Sequence, residues 1–91
     1  MNAIDLGHLN IRPETTYHLY RNDTREAIML TLGLSEIQTP FTVEYGTAST
    51  TVERSGVITI QVPGGTALTI SHGDSKVMQP VRVQMAVGLF T

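Results

Sequence analysis

The chain has 91 residues, 41% of them hydrophobic and only 15% charged, with a formal net charge of −2. That length buries one modest core and leaves no room for a separate catalytic domain, and the aliphatic content excludes a disordered chain. The basic residues (Arg12, Arg21, Arg25, Arg54, Lys76, Arg82) are scattered, so nucleic acid and anionic membrane are set aside as partners.

No cysteine is present, which removes disulfides, thiolate metal sites and thiol nucleophiles from these residues. Met1 to Asn10 lack a basic start followed by an apolar run, so no signal peptide is expected. No stretch approaches the roughly 20 apolar residues of a spanning helix. A surface this poor in charge also points to coverage by a partner.

In chain order, Ile4, Leu6, Leu9 and Ile11 are apolar beads on a segment that ends at Pro13. They fit a first strand or an extended arm lying across a neighbour. The arm is the reading adopted, with residues 1–12 as arm and 13–91 as a single domain. Tyr17, Leu19 and Arg21 then alternate with His18 and Tyr20, and Asn22-Asp23 follows as a turn. Asn22-Asp23-Thr24 also matches a glycosylation sequon, a chance match where no secretion signal accompanies it.

Residues 25–34 allow two readings. Asp23-Thr24-Arg25-Glu26 has capping-box spacing, and Ala27 to Leu34 supply two helical turns. The even spacing of Ile28, Leu30, Leu32 and Leu34, with Thr31 and Gly33 between them, favours a strand. Phe41, Val43 and Tyr45 form the next alternating run. Gly46-Thr47-Ala48-Ser49-Thr50-Thr51 reads as a flexible connection or hairpin tip. Ile58, Ile60 and Val62 lead to a turn at Pro63-Gly64-Gly65, then come Leu68 and Ile70, and His72-Gly73-Asp74-Ser75 turns again. The last run places Val81, Val83, Met85, Val87 and Leu89 on one face, with Ala86, Gly88 and Phe90 on the other. The resulting expectation is all-β: a small antiparallel β-sandwich or jelly-roll-like barrel of seven to eight short strands with an extended N-terminal arm.

Catalytic constellations find little support. His72-x-Asp74 flanks a turn glycine, where aspartate bonds its own backbone, and His18 lies on a strand. Ser71 and His72 would point to opposite faces, and no serine has an elbow-like context. Glu44 and Glu53 would face each other across a hairpin, but on its solvated side. Pro63-Gly64-Gly65-Thr66 lacks the lysine of a phosphate loop. No catalytic residue, cofactor or metal is therefore assigned. Carbohydrate is the alternative ligand, with Tyr20 as the stacking ring, while Tyr17, Phe41 and Tyr45 are expected in the core.

After Arg82 the chain carries no charge. Such a strand either lies centrally or is covered, because open edges are normally blunted by charge, proline or a bulge. Ala86, Gly88 and Phe90 would let another surface approach closely. With Ile4, Leu6, Leu9 and Ile11, they form the expected interface.

The apolar opening segment, the strand and turn of Thr15 to Thr24, the Ile28 to Leu34 strand and the uncharged final strand together give the chain its resemblance. It resembles the small β-sandwich proteins that build virus particles, above all phage capsid decoration and tail or fibre components. The resemblance implies a non-enzymatic structural protein located in the virion. It would contact other copies of itself and a larger structural lattice, in trimers or rings. A carbohydrate-binding β-sandwich module is the alternative.

Overall fold

A computed structural model describes residues 2–73 and 76–88. It contains eight strands: β1 (Asn2–Ile11), β2 (Tyr17–Arg21), β3 (Ile28–Ser35), β4 (Phe41–Tyr45), β5 (Ala48–Val52), β6 (Gly56–Val62), β7 (Ala67–Ser71) and β8 (Gln79–Gly88). They form two four-stranded antiparallel sheets, ordered β1-β8-β3-β6 and β2-β7-β4-β5. Consecutive strands mostly cross from one sheet to the other, the double Greek key of a jelly roll. The expected all-β sandwich is the architecture found.

Period-two patterning explains the core. Leu30 and Leu32 of β3, Val81 and Val83 of β8 and Val62 of β6 are fully buried from one sheet, against Phe41, Val43, Leu68 and Ile70 from the other. Each alternates with a polar or small residue that faces outward. The body measures 41 × 22 × 17 Å and exposes 5812 Å². A compact monomer of this mass would expose roughly 5,200 Å². The excess follows from a long, thin sandwich.

Residues 25–34 resolve in favour of the strand. Ile28 to Leu34 pair with β6 along their whole length and, from Met29 on, with β8. The residue placed to cap a helix is otherwise engaged: the Asp23 carboxylate accepts from Arg21 Nε (2.8 Å), while Thr24 donates its N–H (3.1 Å) and its hydroxyl (2.6 Å) to Asn22 Oδ1. The segment expected as an arm is also in the sheet. Residues 2–11 run antiparallel to β8, which is therefore central, between β1 and β3.

Two connections correct the sequence reading. The small polar stretch after Tyr45 is a tight turn at Gly46-Thr47 followed by β5. Its hydrophobic signal was weak because an edge strand buries little; only Val52 is buried, and Thr50 shares a 2.9 Å hydroxyl bond with Tyr45. Glu44 pairs with Ser49, so Glu44 and Glu53 do not face each other.

Asn22 organises one end of the sandwich. It is buried, and Nδ2 donates to the carbonyls of Glu26 (2.8 Å) and Val62 (3.0 Å). Its backbone bonds Thr66 and Gly65, joining the β2–β3 and β6–β7 connections. Both amide hydrogens are engaged, so the sequon carries no accessible glycan acceptor. The approach is tight enough that a Cβ on Gly64 would stand 2.5 Å from the Arg25 carbonyl, which only glycine permits.

Candidate functional site

The chemistry-bearing side chains are dispersed. His8 faces Glu36 at 3.3 Å in an exposed pair, and His18 is exposed on β2. His72 is buried; its Nε2 lies 2.7 Å from the Ile11 carbonyl and its ring stands edge-on to Phe41 at 5.7 Å. A ring nitrogen facing a carbonyl must donate, so the proton sits on Nε2 and the imidazole clasps the end of β1 to the end of β7. Asp74, its neighbour in the His72-x-Asp74 pair, lies outside the described residues. Among the described residues, no three metal-ligating side chains converge.

What the fold does assemble is surface. On the outer face of the β1-β8-β3-β6 sheet, Asp5, Gln84, Gly33 and Val57 are successive cross-strand partners, and Ala86, Thr31 and Thr59 form the neighbouring row. Small residues on the two central strands leave a shallow trough of about 430 Å³, walled by Val57 on one side and Asp5 on the other. Val57 is 69% exposed. Asp5 is the polar anchor. Its Oδ1 accepts the Gly7 N–H at 2.8 Å, and Oδ2 lies 3.4 Å from both Arg82 and Gln84. The Gly7 amide first, then Gln84 and Arg82, hold its carboxyl below the usual carboxylate range.

The edges differ in kind. β1 changes register between Asp5 and Gly7, where Leu6 is the extra residue and Gly7 takes a left-handed φ of 69°. This bulge explains the broken parity of the apolar beads: Ile4 precedes it and faces Met85, whereas Leu9 follows it and faces Val81. β2 is likewise bulged between His18 and Tyr20. In contrast, β5 and β6 keep unbroken register with their neighbours and contain no charged residue or proline.

The expected interface residues fall into separate environments. Ile11, 1% exposed, belongs to the core and is corrected from interface to structural. It is drawn inward because β1 continues the sheet to its end. Ile4, Leu6 and Leu9 are half-buried and packed on that core. Ala86 lies on the trough floor, and Gly88 pairs with Met29 at the end of β8. Phe90 lies outside the described residues. The aromatic expectation is reversed: the β2 bulge turns Tyr20 inward, half-buried against the core, while Tyr17 is 41% exposed. Tyr20 therefore presents less open ring than Tyr17. Phe41 is fully buried, as expected, and Tyr45 half-buried. Sequence reasoning missed β5 and β6 as open edges, although their lack of charge was there to read.

The class defined by this topology is the jelly-roll β-sandwich. No family model matches the chain, and no curated protein matches it in sequence. Among solved structures, it is similar to a chain of the Bacillus endospore appendages, described as forming a novel family of disulfide-linked pili. The TM-score is 0.58 at 11% identity, covering 98% of this chain and 87% of that one.

Proposed function

We propose that the chain is a non-enzymatic structural subunit that assembles with copies of itself into a larger lattice. The observation that carries this reading is the β5–β6 side of the sandwich, where two regular, uncharged edge strands stand open. Such edges present unpaired N–H and C=O groups, and soluble monomers blunt them. The trough beside β6 adds a small apolar surface on which a neighbour can rest. Ile4, Leu6, Leu9, Ala86 and Gly88 remain secondary contact candidates along the β1–β8 strip.

The fold likeness to a pilus-forming chain supports repeated self-contact. The present 91 residues contain no cysteine, so no joint between them would be a disulfide. The sequence resemblance to virion subunits supports the same mode of assembly in a phage capsid or tail. A filamentous appendage and a virion lattice are two settings for one kind of subunit.

The test is light scattering across a wide concentration range, with electron microscopy of the product. The expected result is a mass well above the 9.9 kDa of one chain, with tubes or filaments in the appendage setting and rings or shells in the virion setting. A mass of one chain at every concentration overturns the proposal.

A further inference from the structure

We infer that the β5–β6 side pairs with the same side of a second copy about a two-fold axis, so that both sheets run continuously through the dimer. This inference rests on the self-assembly reading and adds the contact and its symmetry.

The opposite side of the sandwich is a poor acceptor, because β1 and β2 are both bulged and carry Asp5, His8, His18 and Arg21. A regular strand cannot follow a kinked one through its register shift. β6, by contrast, keeps unbroken register over its seven residues, and β5 does so over its five. The straight, uncharged edges lie together, so the best complement to this side is another copy of it.

The sequences of the two edge strands also suit self-pairing. A two-fold through Thr59 sets Thr59 opposite its own copy, Ile58 opposite the partner's Ile60, and Val57 opposite the partner's Gln61. The isoleucines face the core, where Ile60 is buried and Ile58 is half-buried, so pairing extends an apolar row. In β5 a two-fold through Thr50 sets Ser49 opposite the partner's Thr51 and Ala48 opposite the partner's Val52. β5 is thus nearly palindromic in character and β6 is so over Ile58-Thr59-Ile60, and neither strand brings like charges together.

The two strands also match in height. Thr50 precedes Arg54 by four residues and Thr59 follows it by five. At about 3.3 Å per residue, the two stand at nearly the same distance from the turn, so one axis serves both strands. The same axis sends the Glu53-Arg54-Ser55 connections of the two copies to opposite ends, where they do not meet.

The absence of cysteine makes the test clean. Residues directly opposite in an antiparallel pair have Cα atoms about 4.5–5.5 Å apart, within disulfide reach. Thr59→Cys is exposed at the axis; Gln84→Cys is also exposed, but on central β8 two strands from the axis, and serves as control. Under mild oxidation, Thr59→Cys is expected to form covalent dimer at least tenfold faster than Gln84→Cys. Thr59→Arg, which opposes two cations at the axis, is expected to raise the dimer Kd at least tenfold while leaving the urea midpoint of the monomer unchanged. If the protein is oligomeric but Thr59→Cys cross-links no faster than the control, or Thr59→Arg leaves the mass unaltered, the two-fold contact is overturned and the assembly reading stands. If the protein is a monomer throughout, both fall.

Discussion

Along one long side of the sandwich, β1 and β2 are kinked by bulges and carry charge; along the other, β5 and β6 are straight and carry none. All four are edge strands. The difference comes from single residues. Leu6 and Leu19 are inserted into the register of the first side, and nothing interrupts the second. The first side is also tied down by the chain itself, through His72 on the Ile11 carbonyl. What this teaches is that topology makes an edge, while register and charge decide whether the edge is available. A chain with only 15% charged residues has few with which to defend its edges, and within the four edge strands those few fall in β1 and β2.

If β1 were a detachable arm, its side of the sandwich would not be held as described. Ile11→Ala tests this with the largest expected effect. Its side chain is buried at the end of β1, so truncation should cost about 2–5 kcal/mol in urea unfolding. Ile58→Ala, on the half-buried open edge, should cost clearly less, about 1–2 kcal/mol. Equal losses would mean that the two sides are held alike. A loss at Ile11 below about 1 kcal/mol would make β1 dispensable. Asn22→Ala comes next. It strips the Glu26 and Val62 carbonyls and the Thr24 N–H of their buried partner, at about 2–3 kcal/mol.

Much of this architecture is legible in the sequence, because a two-sheet sandwich writes its core as alternation. Ile28 to Leu34, Phe41 to Tyr45 and Val81 to Met85 each show the period in full, and each is a strand. The failures share one cause: a strand that buries one residue, or shifts parity once, leaves no periodic trace. β5 buries only Val52, so its threonines read as a loop. The bulge in β1 splits its apolar residues between even and odd positions, so Ile4 to Ile11 reads as an arm. Gly7 marked that break, being the one residue there with no penalty for a left-handed backbone. In β2 no glycine marks the shift at Leu19, and the burial of Tyr20 was out of reach. The interface expectation failed at Ile11 for the same reason, since an arm and a bulged edge strand show the same beads.

Gly7→Ala sharpens the contrast between the sides at smaller amplitude. Nothing lies within 4 Å of an added Cβ, so its effect is purely conformational. A left-handed alanine should cost about 1–2 kcal/mol, read as a lowered urea midpoint and faster amide exchange along β1. β6 amides should be unaffected. A loss spread evenly over both sides would show that the bulge does not act locally.

The smallest effect expected is electrostatic and belongs to Asp5. Its carboxyl is held below the usual range by the Gly7 amide, then by Gln84 and Arg82. A carboxylate depressed in the folded state contributes stability that is present at neutral pH and fades as acid protonates it, below about pH 4. Asp5→Asn keeps an oxygen that accepts the Gly7 N–H but removes the charge. Urea midpoints measured from pH 7 to pH 3 should therefore show the substituted chain slightly weaker at neutrality, with the two curves converging in acid. The two proteins differ at no other carboxylate, so the difference between the curves isolates this one. Parallel curves would mean that the bulge is held by backbone geometry alone. The defence of the β1 edge would then owe nothing to charge, and the uncharged β5–β6 side would differ from it in register only.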